Sequence, residues 1–372
     1  MSRSLQRSLN AMTRLALRAG ARAMKQALRP PPKARKTTAL KFTSSKPALA
    51  KRTHAKPTLT KRAPTSGSPS ASVGASAGQW RTGVALSAGG ARRYRLYKPP
   101  GVRRTERLPL VVMLHGCAQD AQALAVSTKM NRIAQRERFL VLYPEQDRLA
   151  NLQGCWNWYD TRSGRAQREA DSIDAAINQV CLTQPVDPNC VALAGLSAGA
   201  SLAALLAVRR PERFRAIVMH SGIAPGVATS SATALGAMRG RRVAAPLAAL
   251  AVGIHLPALL VIQGSADPLV APGNGPRAVV LWADREGATP GPARTVQRGA
   301  RYPATVTDYR KGGRLVATLC DITGLGHAWS GGAAGCAYSD PKGPDASRMS
   351  WAFIRRQFAA APADTRKSPL AD

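Results

Sequence analysis

Five residues, Gly195-Leu196-Ser197-Ala198-Gly199, place a serine between glycines two positions away on either side. A hydroxyl in this G-x-S-x-G setting can act as a nucleophile when a buried strand precedes it and a helix follows, because the tight turn holds its Oγ clear of the backbone. Val191-Ala-Leu-Ala194 reads as that strand, and 198–208 reads as a helix of small residues. The plainer reading is a Gly-Ser turn without chemistry. Attack by a serine on an ester needs a base for its proton and an acid to orient that base.

Five histidines are available. His54 lies in a basic stretch and has no structured context. His115 sits upstream in a Leu114-His115-Gly116-Cys117 turn, while His220 ends a buried run and His255 precedes Leu256-Pro257. His220 and His255 read as structural, and His115 precedes the serine. His327 lies in the glycine-rich loop 324–332, after the serine, where a chain order of serine, acid, histidine requires the base. The acid must lie between them on a loop after a late strand. Asp267 follows the run Leu260-Val-Ile-Gln-Gly-Ser-Ala266 and meets that condition, whereas Asp284, Asp308 and Asp321 compete by order alone. The tetrahedral intermediate also requires fixed N–H donors, and the backbone amides of Ala198 and Cys117 are the candidates. Such a site needs neither metal nor organic cofactor, and none is expected.

Three tryptophans, Trp156, Trp158 and Trp329, fall in loops near these residues and could line a subsite for an apolar ester chain. For Trp156 and Trp158, packing inside the protein is the alternative. Six cysteines show no CxxC pair and no zinc-ligand spacing. Their even number suggests disulfides: Cys181 with Cys190, Cys320 with Cys336, and Cys117 with Cys155 as the remaining pair. Six free thiols are the alternative.

The elements around these residues alternate. Strands are expected at 93–97, 108–114, 139–143, 191–194, 216–219 and 259–262, and helices at 127–136, 171–181 and 198–208. This pattern predicts an α/β protein, with a mainly parallel sheet covered by helices on both faces.

The formal net charge is +34, and its distribution is uneven. Residues 1–105 hold 24 Lys and Arg and no acidic residue; the remaining 30 basic and 20 acidic residues leave the rest near +10. Residues 1–29 read as a basic amphipathic helical segment and 30–79 as a disordered linker rich in Ser, Pro and Lys. A catalytic domain is expected over 80–360, with a flexible tail at 361–372. The basic residues of 1–62 would be drawn to an anionic membrane or a polymer-granule surface. No nucleic-acid-binding motif accompanies them, so nucleic acid is not the expected partner, and the presence of Ser197, Asp267 and His327 in order ranks a noncatalytic binding role last. No run of eighteen apolar residues predicts a membrane span, and the basic residues of 1–28 interrupt any ordinary signal-peptide core.

The segments LPLVVMLHGCAQDA, FLVLYPEQ, CWNWYD, VDPNCVALAGLSAGA, HSGIAPG, IQGSADPLVAPGNG, GLGHAWSGG and YSDPKGPDAS, in this order between Arg93 and Phe358, resemble the polyhydroxybutyrate depolymerase family of esterases. The resemblance implies an α/β-hydrolase fold with Ser197, Asp267 and His327 as the triad. It also implies short-chain polyhydroxyalkanoate esters as substrate, with feruloyl and acetylxylan esters as the alternative. With few residues after Phe358, soluble oligomers or amorphous polymer are the expected substrates. The resemblance and the cysteines together point to an extracellular or periplasmic protein; a cytoplasmic or granule-bound location is the alternative.

Overall fold

The computed structural model describes residues 78–247, 251 and 253–360. The expected segment 1–29, nearly all of 30–79 and the tail 361–372 lie outside the described residues, as does the surface role expected of 1–62.

Thirteen strands and seven α-helices occur among the described residues. Strands β1 (Gln79–Ser87) and β2 (Gly90–Lys98) form an antiparallel hairpin. Then follow β3 (Leu108–Leu114), α1 (Ala121–Thr128), α2 (Met130–Glu137) and β4 (Leu140–Pro144). Helix α3 (Arg165–Thr183) leads to β5 (Val186–Leu196), α4 (Ala198–Arg209), β6 (Ala216–His220) and α5 (Ser231–Met238). Strand β7 (Ala258–Gly264), α6 (Asn274–Glu286), β8 (Thr289–Pro290), β9 (Arg294–Val296), β10 (Ala304–Lys311) and β11 (Arg314–Ile322) complete the large sheet. Short strands β12 (Trp329–Ser330) and β13 (Ser339–Asp340) pair with each other before α7 (Ala346–Ala359).

The sheet runs β1-β2-β4-β3-β5-β6-β7-β11-β10-β8, with β9 on β10. The six strands from β4 to β11 are mutually parallel, and antiparallel pairs close both edges. Alternation along the strands feeds two core layers. Leu110, Val112 and Leu114 of β3 face α3, α4 and α6, packing with Ile173, Leu202 and Trp282. Val111 and Met113 face α1, α2 and α7, packing with Leu124, Ile133 and Phe353. Strands buried on both faces read as continuous apolar runs, which is why β3, β4 and β7 were visible in the sequence. Each Leu or Ile so buried contributes about 1.5–3 kcal/mol relative to exposure.

The single helix expected over 127–136 is two helices. The Asp120 side chain caps α1 by accepting the Ala123 N–H at 2.8 Å, and Lys129 then turns left-handed at φ 56°. The apolar periodicity continues through that corner and conceals it.

Of the three expected disulfides, the leftover pair forms: Cys117 is bonded to Cys155, and Cys181, Cys190, Cys320 and Cys336 are free. The Cys181 sulfur meets Arg213 Nη2 at 3.6 Å at the end of α3, while Cys190 lies on β5 beside Asp187. Cys320 is sealed within β11, and burial pushes its thiol pKa up to about 12. Cys336 occupies a partly exposed loop. Sequence proximity did not bring either local pair onto facing backbone, which a disulfide requires.

Candidate active site

Ser197 stands at the corner between β5 and α4 with φ 57° and ψ −119°, a strained conformation for a residue with a side chain. Its N–H donates to the His220 carbonyl at 2.8 Å, and its carbonyl accepts the Ser201 N–H at 3.0 Å. The flanking glycines permit this corner by close approach. A Cβ on Gly195 would strike the backbone of Gly199 and Ala200, and one on Gly199 would strike the Leu114 and His115 carbonyls. The strand–turn–helix expected from the sequence is therefore present, with Ser197 half-buried at its apex.

Asp267 follows the carboxyl end of β7. Its Oδ1 accepts the N–H groups of Leu269 (2.9 Å) and Val270 (2.8 Å), and its Oδ2 lies 2.8 Å from His327 Nδ1. The Asp267 side chain is fully buried and that of His327 is 6% exposed. Burial works to raise the Asp267 pKa, but the His327 hydrogen bond and charge and the two backbone donors outweigh it, leaving the carboxyl below its ordinary value. Binding of Nδ1 by the carboxylate leaves His327 Nε2 to handle a proton. The competing acids lie elsewhere. Asp284 is exposed on α6, Asp308 takes Thr318 Oγ1 and Arg294 at the sheet edge, and Asp321 has no contact with a histidine among the described hydrogen bonds.

Strand β6 lies between β5, which carries Ser197, and β7, which carries Asp267. His220 at its end contacts both sides: its carbonyl holds the Ser197 N–H, and its Nε2 accepts the Ser330 N–H, three residues past His327. The described hydrogen bonds join Asp267 to His327 but include none between Ser197 Oγ and His327 Nε2. Catalytic hydrogen bonds in unliganded sites are often long and tighten only with substrate.

The 115–119 loop after β3 abuts this corner. A Cβ placed on Gly116 would lie 3.6 Å from the Ser197 Cβ. The Gly116 N–H donates to Gln119 Oε1 (3.0 Å), the Ala118 N–H to the Gln153 carbonyl (2.8 Å) and the Gln119 N–H to the Gly116 carbonyl (3.3 Å). Among the described residues the Cys117 N–H donates to no protein acceptor. The Ala198 N–H, at the first position of α4, is likewise unengaged, as helix-terminal donors are. Two free amides thus flank Ser197, a pairing that can stabilise an oxyanion.

A buried network that sequence reasoning missed holds this loop. His115 is buried, with Nε2 accepting the Gln146 N–H at 3.1 Å and Nδ1 2.9 Å from the Gly116 carbonyl. Burial lowers its pKa to about 4. Trp156 Nε1 donates to the His115 carbonyl at 3.0 Å. Glu169 accepts from Gln146 Nε2 (2.7 Å), Asn157 N (2.8 Å) and Asn157 Nδ2 (2.6 Å), and Arg92 binds Gln146 Oε1 at 2.9 Å. Gln119, Gln146, Trp156 and Asn157 all fall within the segments that carried the family resemblance; their positions signalled importance without revealing a structural role.

Two of the three tryptophans are not substrate-lining. Trp156 and Trp329 are completely buried, the first under the 115–119 loop and the second donating Nε1–H to Ser347 Oγ at 3.0 Å and stacking on His220. Large aromatics in glycine-rich loops here act as anchors beneath the site. Trp158 is partly buried, edge-on to Tyr159. Among the described residues no cluster of three or more His, Cys, Asp and Glu side chains could hold a metal ion, and no helix is long and apolar enough to cross a membrane.

Comparison with known proteins agrees with this architecture. The chain is 33% identical over 230 residues to poly(3-hydroxyalkanoate) depolymerase C of Paucimonas lemoignei, covering 59% of this chain and 54% of that protein. It is 26% identical over 191 residues to a probable acetylxylan esterase A of Aspergillus clavatus, covering 47% of this chain and 60% of the other. The chain thus spans little more than half the length of these relatives. Acetyl xylan esterase from Aspergillus awamori superposes with a TM-score of 0.58 at 18% identity, over 74% of this chain and all of that one. That likeness establishes the α/β-hydrolase fold. The family model described as esterase PHB depolymerase matches residues 92–285, from the Arg92 that binds Gln146 through the Ser197 corner and Asp267 to the end of α6, so the chain belongs to the PHB depolymerase family of esterases.

Proposed function

We propose that this protein is a serine esterase that hydrolyses short-chain polyhydroxyalkanoate esters, with 3-hydroxybutyrate oligomers or amorphous polymer as substrate. The observation that carries the reading is the conjunction, at the carboxyl ends of the central parallel strands, of a strained Ser197, a His327 bound through Nδ1 to buried Asp267, and two unengaged amides.

In this reading His327 Nε2 takes the Ser197 hydroxyl proton as Oγ attacks the ester carbonyl. The carbonyl oxygen becomes an oxyanion that accepts the Cys117 and Ala198 N–H groups. The protonated imidazole, stabilised by Asp267, then gives its proton to the departing alcohol and leaves an acyl-serine. Water, deprotonated by the same Nε2, releases the acid and restores the serine. Asp267 stays ionised throughout, consistent with its lowered pKa.

The 33% identity to a polyhydroxyalkanoate depolymerase favours a polyester over a carbohydrate ester. Acetyl or feruloyl esters of polysaccharides form the second reading, favoured by the acetylxylan esterase relative. The Cys117–Cys155 bond supports an oxidising compartment, extracellular or periplasmic.

Release of 3-hydroxybutyrate from amorphous polyhydroxybutyrate by wild type and Ser197→Ala tests the proposal, with acetylated xylan and a feruloyl ester in parallel. Release by the wild type alone supports both nucleophile and substrate class. Hydrolysis of only the carbohydrate esters selects the second reading, and undiminished turnover by a folded Ser197→Ala protein removes the serine mechanism.

A further inference from the structure

A glycine imposes little on its own backbone, so the peptide that presents the Cys117 N–H must be oriented from outside. That peptide plane carries the Gly116 carbonyl at its other end, and the preceding plane carries the Gly116 N–H. Gln119 grips both. Its side-chain Oε1 accepts the Gly116 N–H at 3.0 Å, and its own N–H donates to the Gly116 carbonyl at 3.3 Å. Gly116 lies directly against Ser197, and of the four amides from 116 to 119 only that of Cys117 is left free among the described residues.

We propose that Gln119 is the positioning residue of the oxyanion hole, fixing Gly116 so that the Cys117 N–H points at the carbonyl under attack by Ser197. The inference rests on the proposed roles of Cys117 and Ser197.

Gln119 is 5% exposed and acts through Gly116. Its Nε2 is buried and has no acceptor among the described residues. An unpaired buried amide nitrogen is destabilising, and a methionine of similar length carries no such donor. Among the described residues its one side-chain hydrogen bond is the one that its Oε1 accepts from the Gly116 N–H.

The test compares Gln119→Met, which keeps the side-chain length and removes the acceptor, with Gln119→Glu, which keeps an acceptor at the same reach. Burial favours the neutral acid form of that glutamate, so the Gly116 bond survives without a full charge beside the oxyanion. With p-nitrophenyl butyrate, Gln119→Met is expected to lose about 10²-fold in kcat, the scale of one misplaced oxyanion donor, with KM within about threefold of wild type. Affinity for an alkylboronic acid, which forms a tetrahedral adduct on the serine, should fall in parallel. Gln119→Glu should stay within about tenfold of wild-type kcat and decides the matter alone if the methionine variant does not fold. A wild-type kcat in Gln119→Met, a joint collapse of kcat and KM, or a Gln119→Glu as impaired as Gln119→Met would overturn the inference. Ser197→Ala, assayed alongside, separates the two failures. If it is active, the serine mechanism on which the inference rests falls; if it is dead while Gln119→Met is normal, only the role of Gln119 falls.

Discussion

Nε2 of His220 accepts the backbone N–H of Ser330 at 3.1 Å, which hangs the loop carrying His327 from the end of β6. The ring also stacks on Trp329, with centroids 5.1 Å apart, and its Nδ1 lies 3.2 Å from Ser221 Oγ. His115 repeats the device on the other side of Ser197, where its bare Nε2 accepts the Gln146 N–H. Each loop of the site is thus tied down by a buried imidazole that must stay neutral, because a protonated Nε2 cannot accept.

Acid should therefore loosen the fold before it protonates the carboxylates. Burial lowers the His115 pKa from 6.5 to about 4 and that of His220 to about 3. Between those values and 6.5 the unfolded chain binds protons that the fold refuses, so stability is full above pH 6.5 and declines as pH falls through that window. Urea midpoints at pH 7.5, 6 and 5 should drop steadily, over a range in which most carboxylates remain ionised. The drop should be smaller in His220→Gln than in wild type. A flat profile down to pH 5 would show that neither imidazole is charged more readily on unfolding.

The Cys117–Cys155 bond predicts a thiol-sensitive enzyme. It closes a chain separation of 38 residues, and loop-closure entropy assigns a crosslink of that length about 4 kcal/mol of stability. It also ties the 115–119 loop, whose Gly116 lies against Ser197, to the segment bearing Trp156 and Asn157. Cys117→Ala/Cys155→Ala is expected to melt lower and to lose about tenfold in kcat, because a donor held less firmly contributes less to the transition state. Dithiothreitol should reproduce both changes in wild type and neither in the double variant. Unchanged kcat in a folded double variant would show that hydrogen bonds alone hold the loop.

The parallel strands and the Ser197 corner were legible in the sequence because burial on both faces writes uninterrupted apolar runs, and because the elbow needs glycines at fixed positions. Chain order singled out Asp267 and His327, and the structure joins their side chains by a hydrogen bond. What stayed hidden depends on long-range contact. The roles of Gln146 and Glu169 exist only once residues distant in sequence meet, and no local periodicity records that. Trp156 and Trp329 misled because an aromatic in a polar loop reads equally well as a subsite wall or as an anchor. Cysteine spacing misled because Cys181 and Cys190 are close in sequence but lie on a helix and a strand, with their thiols engaged at different neighbours.

The assignment of the acid can be tested against its rivals. Asn at 267 could still accept the Leu269 and Val270 N–H groups through its oxygen, which would keep the turn. Its NH2 would then face His327 Nδ1, so that nitrogen must become the acceptor and the proton must move to Nε2. An imidazole in that tautomer cannot take the Ser197 proton. Asp267→Asn is therefore expected to lower kcat by about 10⁴-fold with little change in KM, as misassigned tautomers do in serine hydrolases. The loss should ease at high pH, where hydroxide can replace the general base. Asp321→Asn should leave kcat within a few-fold of wild type, because Asp321 makes no hydrogen bond to a histidine among the described residues; Asp308→Asn should lose only stability, through Thr318 and Arg294. A large kcat loss at Asp321 with Asp267→Asn still active would transfer the acid's role to Asp321.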